Sequence, residues 1–188
     1  MSKNIIITGV PGTGKTTVSK MLSERIGGVH IDLSELVKRE KLYSHIDEER
    51  QTLVVDMDKL GHKIELLASE TNKKVIIDGH IAQLIVPTEL VSNAFILRRA
   101  PWELEKALNA RGWPPDKVKE NVEAELIDVV LVETLENIEE EKICEINTTN
   151  MTSGETVTLI LQVLEEEASC KYGNVDWLGE EEARRYII

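Results

Sequence analysis

Short apolar runs of strand length alternate along the chain with longer segments whose apolar positions recur at helical spacing. The runs Asn4–Thr8, Val29–Asp32, Lys74–Asp78, Ala94–Arg98 and Ile143–Thr148 are continuous rather than alternating, as strands buried on both faces should be. Between them, Lys15–Ile26, Asp56–Thr71, Pro101–Ala110, Asp116–Ile138 and Ser153–Ser169 read as helices. Pro101 stands in a first turn, where its missing N–H is not needed. Thr152-Ser153-Gly154-Glu155 is a capping-box start, with Thr152 as N-cap and Glu155 at the third helical position. This alternation predicts βαβ units: an α/β fold in one domain over residues 1–188, with a five-stranded parallel sheet flanked by helices on both faces. Two segments interrupt the pattern. Leu33–Val55 is charged and irregular and includes Asp47-Glu48-Glu49-Arg50, and Arg111-Gly112-Trp113-Pro114-Pro115 separates two helical patterns. Both are expected to overhang the C-terminal edge of the sheet, where open α/β proteins bind ligands.

Composition narrows the partners. The 188 residues carry 34 acidic and 22 basic side chains, a net charge of −12. That balance argues against direct nucleic-acid binding, which draws most of its affinity from Lys and Arg on phosphates. It suits a basic protein partner and leaves room for a local basic site holding a small anion. Aromatic residues make up only 4%, so the core is expected to be Ile, Leu and Val. The two cysteines, Cys144 and Cys170, are far apart and have no CxxC spacing. No disulfide framework or zinc site is expected, and a reducing cytosol fits. The N-terminal apolar run is too short for a signal peptide or a membrane span, so a cytoplasmic protein with no membrane partner is expected.

The chemistry concentrates in Gly9-Val10-Pro11-Gly12-Thr13-Gly14-Lys15-Thr16-Thr17, directly after the first strand. Gly9-x-x-x-x-Gly14-Lys15-Thr16 satisfies the Walker A pattern, with a strand before it and a helix after it. Glycines let the backbone N–H groups close round phosphate oxygens, and the following helix adds its positive end. Lys15 is expected to reach the β- and γ-phosphates, and Thr16 to offer its hydroxyl to Mg²⁺. A dinucleotide fingerprint is not met, because Lys15-Thr16-Thr17 follows Gly12-Thr13-Gly14. The strand Lys74–Asp78 ends in a carboxylate placed to support Mg²⁺ through water, and His80 follows two residues on. The plain alternatives are a strand-end cap for Asp78 and a packed or surface histidine. Phosphoryl transfer needs further cations round the moving group. Arg98 and Arg99 end a strand and Arg111 opens the second insertion, while Lys38 and Arg39 form a basic spot suited to an acceptor's own phosphate.

Taken together, "GKTTVSK", "IDGH", "LRR" followed by "ARGW", and "ENVEAELIDV" resemble, in order and spacing, the family of adenylate kinase isoenzyme six. These are atypical P-loop nucleoside-monophosphate kinases, also known in eukaryotes as a nuclear ATPase and small-subunit ribosome assembly factor. The tail "KYGNVDW" is similar to the archaeal branch. The resemblance implies that Gly12, Thr13, Gly14, Lys15, Thr16 and Thr17 hold ATP and magnesium. It implies that Asp78 is the metal-supporting acid, that His80 assists hydrolysis, and that Arg111 opens a short lid over residues 111–121. It places Asn150 beside adenine and a monophosphate-binding insertion over residues 33–58. Asn121 and Glu125 match the helix after the lid, where lid bracing without a chemical role is expected. Lys38 departs from the eukaryotic pattern, which has Arg there followed by an acid, so either Lys38 or Arg39 is expected to grip the acceptor, together with Arg98. The activity implied is ATP + AMP ⇌ 2 ADP with side ATPase activity. The alternative is a nucleotide-switched assembly factor that binds a basic small-subunit ribosomal protein. A small-metabolite kinase of the shikimate or gluconate type shares the architecture, but the Asp78-x-His80 pair and the Arg-Gly-Trp lid argue against it.

Overall fold

The structure is a computed structural model that describes residues 4–48 and 52–186. Its elements run β1 (Asn4–Thr8), α1 (Lys15–Ile26), β2 (Val29–Asp32), α2 (Leu33–Glu40), β3 (Tyr43–Asp47), β4 (Thr52–Val55), α3 (Met57–Ser69), β5 (Val75–Asp78), α4 (Ala82–Ile85), β6 (Val91–Arg98), α5 (Pro101–Ala110), α6 (Pro115–Leu126), α7 (Val129–Asn137), β7 (Ile143–Asn147) and α8 (Ser153–Leu164). The main sheet has the order β2-β5-β1-β6-β7 with every pair parallel. The expected α/β architecture is therefore present.

Its apolar runs are continuous because both faces are covered. Ile5 and Ile7 of β1 pack with Val18 and Leu22 of α1 and Val157 and Ile160 of α8. Ile6, between them, points the other way into a cluster with Leu60 and Ile64 of α3, Leu104 of α5 and Val130 of α7. All three isoleucines are fully buried. The first strand thus sits at the centre of the sheet, and its C-terminal end opens between those of β5 and β6. The capping box of α8 forms as expected: Thr152 Oγ1 accepts from Glu155 N at 3.2 Å, and Thr152 N donates to Glu155 Oε2 at 2.8 Å.

Four features differ from the sequence reading. Leu33–Val55 is not irregular: it forms α2 and a two-stranded antiparallel hairpin of β3 and β4. Asp32 starts α2 by accepting from Glu35 N at 3.0 Å. Glu49 and Arg50, singled out above, lie outside the described residues. The helix expected over Asp116–Ile138 is two helices, broken where Asp128 adopts a left-handed φ of 60°. Aspartate tolerates that conformation better than most residues, and here its carboxylate is held 2.5 Å from an Arg98 nitrogen. Neither Ile127 nor Asp128 advertises a break in sequence. The last helix ends at Leu164 rather than Ser169. Finally, Cys144 and Cys170 form a disulfide, against expectation. After α8 the chain returns along the free edge of β7, where Glu145 N donates to Lys171 O at 3.2 Å. That return brings the two cysteine Cα atoms within 5.2 Å across a separation of 26 residues. The cysteine spacing therefore no longer argues for a reducing compartment. Among the described residues no helix is long and apolar enough to cross a membrane.

Candidate active site

The loop after β1 turns back on itself through Gly9, at φ 138°, where a Cβ would collide with the Leu97 carbonyl oxygen of β6. Gly14, at φ 96°, is the left-handed residue that launches α1. Thr13 is buried and donates to Val10 O at 3.0 Å, so its side chain holds the loop's shape. Lys15 is folded into the loop: its Nζ donates to Gly9 O at 2.7 Å and Val10 O at 3.0 Å. Burial lowers its ammonium pKa to about 8, against an ordinary 10.5. The carboxylates of Asp78, Glu125 and Asp32 oppose that shift, and the Arg111 guanidinium adds to it.

The strand β5 pairs with β1 so that Ile7 stands opposite Asp78. This puts the buried Asp78 carboxylate beside the start of α1, where Thr16 Oγ1 donates to its Oδ1 at 3.2 Å. A hydroxyl and a carboxylate side by side are hard oxygen donors of the kind Mg²⁺ selects. Among the described residues no cluster of three or more His, Cys, Asp or Glu side chains forms a metal cage of its own. The donor set thus fits an ion that takes most of its ligands from phosphate and water.

Both insertions close over this loop to form a cavity of about 550 Å³. Gly12, Gly14, Lys15, Thr16 and Thr17 of the loop line it together with the apolar side chains of Leu33, Val37, Leu53, Val55, Ile81 and Trp113. Asp78, His80, Lys38 and Arg111 also line it. The volume and the mix of apolar wall with a few polar groups suit a small-molecule ligand. His80 stands open to the cavity, yet desolvation by the surrounding protein and the Lys15 ammonium hold its imidazole below the ordinary histidine value. Lys38 and Arg39, adjacent on α2, part company. Lys38 lines the cavity, whereas Arg39 reaches outward to Glu40 at 3.4 Å with two thirds of its side chain exposed. Asn150 is exposed and outside the lining of this cavity, although its neighbour Thr148 donates to Thr13 O at 3.4 Å.

Arg98 is a correction. It was expected to bind substrate, but its side chain is 1% exposed and is held by Glu125, Asp128 and Glu145. Three carboxylates and the Glu125 carbonyl hold the guanidinium, and Arg98 is not among the residues that line the cavity. Glu125 also accepts from Trp177 Nε1 at 2.9 Å and from Arg99 N at 3.2 Å. Glu125 thus ties α6 to the end of β6 and to the C-terminal segment, and none of these bonds reaches residues 111–121. Asn121 donates to Lys117 O at 2.7 Å, within α6. Arg99 turns the other way and donates to Gly12 O at 3.2 Å.

A family model described as an AAA domain matches residues 5–128. The chain is also 39% identical over 173 residues to a protein of Methanocaldococcus jannaschii named "Putative adenylate kinase", with 92% of each chain covered. It belongs to this adenylate-kinase-like P-loop family. A Methanosarcina acetivorans protein of the same name is 40% identical over 185 residues, covering 92% of this chain and 96% of that one. Among solved structures, shikimate kinase from Acinetobacter baumannii in complex with shikimate superposes with a TM-score of 0.61 at 18% identity, over 89% of this chain and 95% of that one. At that identity the likeness is one of fold.

Two residues of this adenylate-kinase-like site carry no signal in the sequence reading. Gln83, buried on α4, accepts from Thr8 at 2.7 Å and donates to His80 O at 3.0 Å and to Glu133 at 2.8 Å. It ties the end of β1 to the His80 turn. His30, on β2, places Nε2 at 2.5 Å from Asp78 Oδ2. Its position inside a strand conceals it. Only the pairing of β2 with β5, with His30 opposite Ile76, brings it within reach of the acid.

Proposed function

We propose that the protein is a nucleoside-monophosphate kinase that moves the γ-phosphoryl group of ATP to AMP, ATP + AMP ⇌ 2 ADP, with a side ATPase activity. The observation that carries this reading is the shared cavity. The phosphate-binding loop, an insertion-borne lysine and apolar side chains of both insertions line the same space. The names of the archaeal relatives point the same way.

In this reading the loop N–H groups and Lys15 hold the donor phosphates, and Arg111 faces them from the lid. Lys38 takes the acceptor's phosphate as a point charge, and Trp113 with Leu53 and Val55 receives its base. No protein nucleophile is required: an acceptor phosphate oxygen attacks in line, and the residues supply position and positive charge. Thr16 and Asp78 would hold Mg²⁺, which when bound neutralises charge on the transferring group. His80, kept neutral near pH 7 by its surroundings, accepts a proton from water when no acceptor fills the cavity. Hydrolysis then competes with transfer.

The test measures ADP and free phosphate with and without AMP. Wild type should form ADP faster with AMP, Lys15→Ala should lose both activities, and His80→Ala should lower phosphate release by about 10²-fold. Full activity in Lys15→Ala rejects the reading. A second reading has its own support in the net charge of −12: a nucleotide-switched small-subunit ribosome assembly factor that docks a basic ribosomal protein. ATP turnover indifferent to every nucleoside monophosphate, together with ATP-dependent co-purification of such a protein, would favour it.

A further inference from the structure

The acid that ends β5 is served by a histidine the motifs do not include. Asp78 is 2% exposed, and a carboxylate so buried needs donors for its oxygens. It has one on each side: the Thr16 hydroxyl at Oδ1 and His30 Nε2 at Oδ2. With the carboxylate accepting, Nε2 is the donor of this pair. The His30 side chain is 14% exposed and sits on β2, the strand next to β5, on the same sheet face as Ile76 and Asp78. His80, the histidine of the motif, makes no such bond; its backbone oxygen is tied to Gln83.

We propose that His30 is the positioning residue for Asp78. The inference rests on the nucleotide reading of the site. The two donors differ in permanence. In that reading Thr16 and Asp78 would hold Mg²⁺, so the Thr16 bond at Oδ1 is the one that ion would compete for. His30 stays on Oδ2 and keeps the plane of the carboxylate fixed. Outer partners of this kind typically govern metal affinity or activity by about 10- to 100-fold. The donor atom is what counts, so glutamine, whose Nε2 extends about as far as the imidazole Nε2, should substitute and leucine should not.

The experiment measures ATP affinity by calorimetry in magnesium and in EDTA for wild type, His30→Leu and His30→Gln, each checked for folding by its unliganded melting curve. His30→Leu should weaken binding about 10- to 100-fold in magnesium and less than about twofold in EDTA, while His30→Gln stays within about threefold of wild type in both. If His30→Leu weakens binding equally in both conditions, or in neither, the positioning role is wrong. If His30→Leu does not fold, His30→Gln decides alone: folded protein that has lost tenfold or more in magnesium overturns the proposal, and retained affinity upholds it. Wild-type protein that takes up ATP in neither condition overturns the nucleotide reading itself, and the proposal with it.

Discussion

Lys15 shows how burial tunes a single side chain of the phosphate loop. Its ammonium is buried against two carbonyl oxygens, and its pKa falls to about 8. Between that value and the ordinary 10.5 the unfolded chain binds more protons than the folded one, so this residue makes the unliganded protein more stable as pH rises through that window. Below about pH 8 the desolvation penalty is present in full. Lys15→Met should therefore abolish ATP uptake without lowering the melting temperature at pH 7. A triphosphate reverses the balance, because its negative charge favours the ammonium. ATP binding at pH 8 should be accompanied by uptake of about half a proton. Calorimetry in buffers of different ionisation enthalpy measures that uptake directly.

Two elements decide which cations meet substrate. On α2, adjacent residues project about 100° apart, so Lys38 and Arg39 cannot both face the cavity. Lys38 faces it and Arg39 does not. Lys38→Ala should raise the KM for AMP about tenfold, the order expected for losing one charged hydrogen bond to phosphate. Arg39→Ala should change it less than about twofold, as befits an exposed ion pair. On β6 the logic runs the other way. Arg98 ends a strand in the position of a substrate-binding cation, yet Glu125 of α6, Glu145 of β7 and Asp128 at the α6–α7 break enclose it. Replacing it with leucine leaves buried carboxylates without a counter-ion. Arg98→Leu should therefore cost about 3–5 kcal/mol in urea unfolding, with the KM for AMP of the folded fraction unchanged.

At the scale of the whole molecule, the C-terminal segment is a strap fastened at three points. The Cys144–Cys170 disulfide pins its start to β7. Gly173 N and Asn174 N donate to Glu145 Oε2 at 2.9 and 3.1 Å. Trp177 then packs with Trp102, Leu126 and Ala183 and reaches Glu125. The strap covers the open edge of the sheet and closes the carboxylate cluster round Arg98. A cross-link spanning 26 residues restricts the unfolded chain by about 3–4 kcal/mol on the chain-entropy estimate. Melting curves with and without reductant should separate accordingly, and Cys144→Ala should behave like the reduced protein. The cavity lies away from this strap, so ATP affinity below the melting range should be the same in both forms.

The sequence by itself determined what depends on local pattern. Continuous apolar runs set the five parallel strands, and helix α1 from Lys15 to Ile26 follows from its periodicity and its glycine launch. The phosphate loop is legible because glycine conformation and lysine reach are properties of a few consecutive residues. Asp78 was legible as a charged residue ending a buried strand. The tertiary structure alone decided which distant groups meet. It turned an irregular-looking insertion into a helix and hairpin, because their apolar faces exist only against the cavity wall. It broke a seamless helical pattern at Asp128, through a contact with an arginine thirty residues away. It took Arg98 out of the site, joined two cysteines with no telling spacing, and brought His30 to Asp78. Each of these rests on burial and pairing between elements far apart in the chain, and no periodicity of 2 or 3.6 residues encodes that.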